Sequence, residues 1–352
     1  MNKIVNGSNF SKKSDFIFSE IISSEEFNNL KKINPHLQII RHYKYLKIDA
    51  IWYVNPIIEL KNNDVIFSHT ELVELLFKAM EKFSNVQNIK LITHQSDKFI
   101  NKKLFEKKPE NISEWYSTNV SYANEKLIPI PLGVNNFYNK NNFDETNQKV
   151  FQKNINSSNE KKSQIFVNFT LNTNFKHRKT ALKHVNLLDD KNINIDFGKN
   201  TQQYIKNMAQ SKYTLAPWGN GVDTYRFWEA LYLGSCPITL SHTHYLGFKG
   251  LPAILINSYS DLNMETLEEK YIKFNPKEIN YLNIDYWFDK ITHNKLSHSV
   301  ACKKNLSPLI NKKITLIKLK IKFESKKKIV IYYLKRYTDP NNYVNFFKKF
   351  VK

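Results

Sequence analysis

Tyr213 to Leu240, YTLAPWGNGVDTYRFWEALYLGSCPITL, is the stretch on which the reading of this chain turns. A short apolar strand leads into a turn with Gly219 and Gly221, then a helical pattern capped by Asp223 or Thr224. Gly234 and Pro237 end that helix and turn the chain into CPITL, a buried parallel strand by composition. This is the arrangement with which α/β enzymes hold phosphate. Glycine lets the backbone approach a ligand, and the free N–H groups of the first helical turn attract negative charge. Arg226 falls in that turn, so an anion there would meet a helix dipole and a guanidinium together. Arg226 and Glu229, three residues apart, share one helix face. The same spacing also fits an ordinary strand, turn, helix and strand in which Arg226 and Glu229 form a surface ion pair.

Outward from this stretch, strands and helices alternate. Residues 164 to about 275 contain the strand QIFVNFT, helices over Arg178–Leu188 and Thr201–Gln210, the strand AILIN and a helix over Asp261–Tyr271. Before them lie strands at Val65–Ser68, Lys90–Thr93 and Leu127–Ile130 and a helical pattern at Glu71–Phe83. Alternation of this kind predicts parallel sheets whose ligand edge lies at the carboxyl ends of the strands. Asn139–Ser163 is polar and lacks periodicity, which predicts a linker or surface loop. The expected division is therefore 1–138, a linker at 139–163, a second α/β domain at 164–299, and a tail at 300–352.

The donor-like stretch resembles the exostosin-like (family 47) glycosyltransferases and their bacterial and ribitol-xylosyltransferase-type relatives. The shared pattern is carried by Gly221, Asp223, Thr224, Arg226, Trp228, Glu229, Ala230, Leu231, Gly234, Pro237 and Ile238. LITHQSD at Leu91–Asp97, WYSTNV with LIPIPLGV between Trp115 and Val134, and VNFTLNTNFKHR at Val167–Arg178 match the same group in the same order. The resemblance implies a GT-B fold, two Rossmann-like domains facing a cleft, and sugar transfer from a nucleotide sugar to a glycan or lipid-linked glycan. The first domain would then be the acceptor side and the second the nucleotide-sugar side. IDYWFDKI at Ile284–Ile291 would be the helix that crosses back to the first domain.

Such a transfer needs a base for the acceptor hydroxyl and positive groups for the departing diphosphate. The chain has no Asp-x-Asp pair for a metal, so no metal or cofactor is expected, and the charge would be met by Arg226, the helix N-terminus and Arg178. The donor set is Asn174, Arg178, Gly219, Gly221, Asp223, Thr224, Arg226 and Glu229, the last orienting Arg226 or holding a ribose. No second glutamate lies eight residues from Glu229, which favours inversion. His94 and Asp97, after the strand LIT, are the base candidates, Asp97 either as the base itself or as the group that sets the His94 tautomer; His69 is a third. Trp115, Tyr116 and Asn119 would flank the acceptor unless they are core. Pro129, Pro131 and Gly133 predict a rigid turn at the interdomain edge.

With 352 residues, 41% hydrophobic, the chain can fill two cores, and only eight glycines without a period exclude a fibrous or repeat protein. Cys236 and Cys302 make neither a disulfide framework nor a zinc spacing, which suits a reducing compartment. No signal-peptide core or membrane span is legible, so a bacterial-type cytoplasmic enzyme is expected. The net charge of +21 is uneven: 15 Lys and Arg in Val300–Lys352 face only Glu324 and Asp339, a net +13 there. In KLKIKF (Lys318–Phe323), KKKIVIYYLKRY (Lys326–Tyr337) and NFFKKFVK (Asn345–Lys352), cations alternate with apolar residues, and Phe346, Phe347 and Phe350 share one side of a helix. A tail of this kind over 311–352 fits an anionic membrane surface on the inner face, a solvated tail or a packed terminal helix. Nucleic acid is disfavoured as a partner because no zinc-finger, RNP or helix-turn-helix pattern accompanies the charge. Two further readings are a fucosyltransferase-like GDP-sugar enzyme, from FWEAL, and a non-catalytic glycan-binding relative.

Overall fold

The computed structural model describes residues 3–45, 48–136, 145–155, 161–198, 200–275, 279–293, 300–319 and 323. Met1–Asn305 form one compact unit and Leu306–Lys352 a second. In the second, the described residues are chiefly a helix over 307–319. The basic and apolar pieces at Lys326–Tyr337 and Asn345–Lys352, and most of Lys318–Phe323, lie outside the described residues.

The first sheet is mixed and seven-stranded. Its strands are β1 (Phe16–Ser23), β2 (Gln38–Tyr45), β3 (Ile48–Val54), β5 (Val65–His69), β6 (Ile89–His94), β7 (Ile112–Ser117) and β8 (Leu127–Pro129); β4 (Ile57–Leu60) stands outside it. The order is β2-β3-β1-β5-β6-β7-β8, parallel from β1 to β8, with β3 antiparallel to β1 and β2 antiparallel to β3. Every residue of β5 and β6 is buried, Lys90 and the polar ends Ser68, His69, Thr93 and His94 included. Helices α1 (Gly7–Lys13), α2 (Ser24–Ile33), α3 (Val73–Met80) and α4 (Lys102–Phe105) belong to this half. The pattern at Glu71–Phe83 opens as a 3-10 turn at Thr70–Leu72 before α3 begins. In α2, Ser23 and Glu26 cap each other's backbone N–H groups.

Glu20 of β1 is buried and accepts a hydrogen bond from the Tyr53 hydroxyl at 2.8 Å. Burial outweighs that bond and raises its pKa from 4.5 to about 7. The folded state therefore keeps a proton that the unfolded chain gives up, so this contribution is full below pH 4.5 and is lost as the pH rises to about 7. Glu20→Gln should flatten that slope: between about pH 5 and about pH 8 the wild type should lose stability relative to the variant in urea titrations. Parallel pH dependences would remove Glu20 as the cause.

The second sheet is wholly parallel, with the order β10-β9-β11-β12-β13. Its strands are β9 (Lys162–Val167), β10 (Ile193–Ile195), β11 (Ser211–Leu215), β12 (Cys236–Leu240) and β13 (Ile254–Ile256). Helices α5 (Glu145–Ile155), α6 (Phe175–Val185), α7 (Thr201–Gln210), α8 (Tyr225–Tyr232), α9 (Thr243–Leu246), α10 (Met264–Tyr271) and α11 (Ile284–Thr292) accompany it. Because β10 lies on one side of β9 and β11 on the other, the winding reverses between β9 and β11. A crevice is expected at the carboxyl ends of two such strands. Residues 145–155, expected in a linker, instead form α5, which buries Asn147 and Phe151. Val150, Phe151 and Ile155 supply an apolar stripe at helical spacing that the surrounding Asn and Lys residues conceal.

One continuous core joins the two sheets, with Val5, Phe67 and Ile92 packed in the same cluster as Ala216, Phe227, Trp228 and Trp287. Helix α11 returns to the N-terminal segment. Ile284 N donates to Lys3 O at 2.9 Å, the Phe288 and Phe10 rings lie 6.2 Å apart, and Asp285 pairs with Lys13 at 2.8 Å. Cys302–Asn305, read from its charge as the start of the tail, is strand β14 and pairs antiparallel with β4. Cys236 is buried in β12, and burial pushes its thiol up to about 12. Among the described residues no helix is long and apolar enough to cross a membrane.

Candidate functional site

A cavity of about 610 Å³ opens at the carboxyl ends of β9 and β11. It is lined by residues following β9 (Asn168, Thr173, Arg178), residues around the start of α7 (Asn200, Thr201, Tyr204), and the segment Gly219–Arg226 with Glu229. Asp97 and Leu132 close it from the first sheet. The turn between β11 and α8 is held from below by α6 and its N-cap. Asn174 Nδ2 donates to Gly219 O at 2.9 Å, and Arg178 Nε donates to Trp218 O at 3.1 Å. Asn174 therefore supports the turn, while Arg178 both supports it and faces the cavity. At Gly221 a Cβ would meet the Asn119 side chain at 2.6 Å, so only glycine lets the two halves close here. Gly133 is likewise fixed, with φ +70° and a built Cβ only 1.9 Å from Val5 O.

Two guanidinium groups stand together. The Arg178 and Arg226 guanidiniums each lie 5.9 Å from the Phe169 ring. Burial, then the Arg226 charge, lowers Arg178 to about 10, which leaves it cationic at neutral pH. Glu229 accepts from the Tyr204 hydroxyl at 2.6 Å and interacts with the Arg226 charge, and burial raises its pKa. Arg226 and Glu229 thus share the cavity wall rather than a solvated surface. At the start of α8, Thr224 occupies the N-cap position, yet its hydroxyl caps nothing; Thr224 Oγ1 and Arg226 Nε are buried without a hydrogen-bond partner. Two unsatisfied polar atoms beside a helix N-terminus and two cations make a site suited to an anion.

Asp223, expected to hold a ligand, lines the cavity and is also bonded within the protein. Oδ2 accepts from Leu132 N at 2.7 Å, and Oδ1 accepts from Trp228 Nε1 at 2.7 Å and Thr224 N at 3.0 Å. His244 Nε2 lies 3.1 Å from Oδ2, and the Tyr245 hydroxyl is 3.4 Å from Oδ1. Both carboxylate oxygens are committed to the protein, where they tie the Leu132 segment of the first half to the turn of the second.

The first-half residues divide sharply. His94 is fully buried; its Nδ1 accepts from Gln95 N at 2.7 Å, its Nε2 lies 3.2 Å from Pro131 O, and burial lowers it to about 4. His69 is buried against Trp52, ring centroids 4.3 Å apart, and burial lowers it to about 3. Neither histidine lines the cavity. Asp97 does: it is exposed, and Oδ2 accepts from Asn220 Nδ2 at 3.2 Å across the mouth. Trp115 and Tyr116 are core residues of β7, with the Trp115 indole N–H bonded to Thr93 Oγ1 at 2.8 Å, so neither can flank an acceptor. Asn119 is buried too; it accepts from Asp223 N at 2.9 Å and donates to Ser96 O at 3.1 Å. Tyr204 and Phe151 line the cavity and were not anticipated. No local pattern marks them, since the Glu229 partner of Tyr204 is 25 residues away.

Residues 136–298 match the family model of the RXYLT1 C-terminal domain, a span that includes most of the cavity wall. The match supports a glycosyltransferase relative. No curated protein matches the chain. Among solved structures, a chain of the GtfA/B complex is 9% identical, with a TM-score of 0.30, over 74% of this chain and 58% of that one. The chain thus spans less than two thirds of that protein's length.

Proposed function

We propose that this protein is an inverting glycosyltransferase of GT-B arrangement that moves a sugar from a nucleotide sugar to a surface-polysaccharide or lipopolysaccharide-type acceptor. The observation that carries this reading is the juxtaposition of Arg178, Arg226 and the α8 N-terminus at the winding reversal between β9 and β11. A diphosphate seated there would accept from Arg226 Nε, Thr224 Oγ1 and the first N–H groups of α8. In the reaction the acceptor hydroxyl gives its proton to Asp97 while its oxygen bonds to the anomeric carbon. The bond from that carbon to the diphosphate oxygen breaks on the opposite face, and the diphosphate leaves with the electron pair. The guanidiniums stabilise that charge without a metal. Attack from the Asp97 side, opposite the diphosphate, is what makes the transfer inverting.

The test is ligand stabilisation and turnover together. UDP, GDP, CMP and dTDP sugars should be screened for a raised melting temperature, since a ligand bound only by the folded state stabilises it by mass action. Arg226→Ala should then weaken binding of the stabilising nucleotide by about 1.5–3 kcal/mol and lower kcat/KM with it. EDTA should leave wild-type transfer intact. Normal affinity and turnover in a folded Arg226→Ala protein would overturn the site; activity lost in EDTA and restored by Mn²⁺ would overturn the metal-free step.

A further inference from the structure

Beside the cavity runs a row of rings that the donor reading does not use. His177 of α6 lies 5.1 Å from Trp218 with the planes tilted by 34°, Trp218 meets His242 edge to face at 5.2 Å and 85°, and His242 meets Phe99 edge to face at 6.4 Å and 65°, all between ring centroids. The four come from separate places: the helix after β9, the turn after β11, the loop after β12, and the loop after β6 of the first sheet. Phe99 is 39% exposed, and none of the other three is fully buried. Burial keeps His242 near 4 and also lowers His177. Loops from both sheets bring these rings to one edge, where Trp218 also packs against the core and Phe99 stays exposed.

The position of the row names its occupant. Trp218 directly precedes Gly219 of the cavity wall, and Phe99 follows Asp97 by two residues. Asn220 bridges those two loops through its bond to Asp97. We propose that Phe99, His242, Trp218 and His177 form the acceptor subsite, an angled aromatic platform, one ring of which takes the apolar C–H face of a pyranose ring of a glycan. This rests on the reading of the cavity as a nucleotide-sugar site. A sugar ring packed in the corner between Trp218 and His242, whose planes cross at 85°, would stand beside the Gly219–Asn220 turn that Asp97 bonds. Aromatic surfaces bind apolar ring faces through contacts like those that they make with one another.

The experiment uses the full chain and simple probes: the methyl glycosides of glucose, galactose, xylose and N-acetylglucosamine, followed by saturation-transfer NMR. Two variants report on the row. Phe99→Ala removes an exposed ring, and His242→Asn removes a ring while keeping a side chain able to cap α9, as His242 does by accepting from His244 N. At least one glycoside should show saturation of its ring C–H protons, and its Kd should rise about 3- to 10-fold in each variant. Calorimetric affinity for the nucleoside diphosphate should be the same in all three proteins. Equal glycoside affinity in the wild type and both variants, or binding of no glycoside in the panel, would overturn the platform. The cavity reading is judged separately by the wild-type nucleotide titration, so the two failures are distinct.

Discussion

Asp223→Ala is expected to destabilise the fold by about 3–5 kcal/mol, the cost of removing one partner from a buried charged network. The carboxylate receives the backbone N–H of Leu132 and Thr224 and the indole N–H of Trp228, and His244 stands 3.1 Å away. Alanine would leave those donors buried beside a void, since the side chains of Asp223 and His244 are both wholly inaccessible. Asp223→Asn keeps an acceptor oxygen and should cost less. Urea unfolding followed by tryptophan fluorescence would measure both. A loss below about 1 kcal/mol for the alanine variant would mean that the two halves are not joined through this residue.

That role shows where the sequence was legible and where it was not. The stretch Tyr213–Leu240 is local: each element is specified by residues within a few positions of it. Accordingly β11, α8 and β12 follow the expected strand, turn, helix and strand, and Arg226 reaches the cavity. Asp223 reads the same whether it caps a helix or clamps two halves. Its decisive partner, Leu132 N, is 91 residues away, and nothing local announces it. His94, Trp115 and Tyr116 failed for a related reason. They belong to β6 and β7, inner strands of the first sheet, and their side chains are buried in its core, which the strand pattern alone does not distinguish from a site. The one residue of His94, Ser96 and Asp97 free to reach the cavity lies past the strand end, where Gln95 takes a left-handed φ of 64° and turns the chain outward. The helix at 145–155 was hidden by composition, since three apolar residues among Asn, Gln and Lys carry its packing.

Asp97→Asn is expected to lower turnover by about 10²- to 10⁴-fold, the range associated with a general base, while nucleotide affinity stays at the wild-type value. The substitution preserves the shape and an oxygen that can still accept from Asn220 Nδ2, so the mouth of the cavity should keep its geometry. It removes only the capacity to take a proton. Single-turnover transfer at saturating donor separates this from a binding defect, because a base acts on the chemical step and not on ground-state affinity. His94→Ala is the matching control. Its ring is buried, with contacts to Gln95 N and Pro131 O, so its loss should appear in the unfolding free energy, and the folded fraction should transfer sugar far faster than Asp97→Asn. Turnover in Asp97→Asn within about threefold of wild type would remove Asp97 as the base, since a base contributes at least about 10²-fold. The base would then be sought at Glu229, which also lines the cavity and whose pKa burial raises.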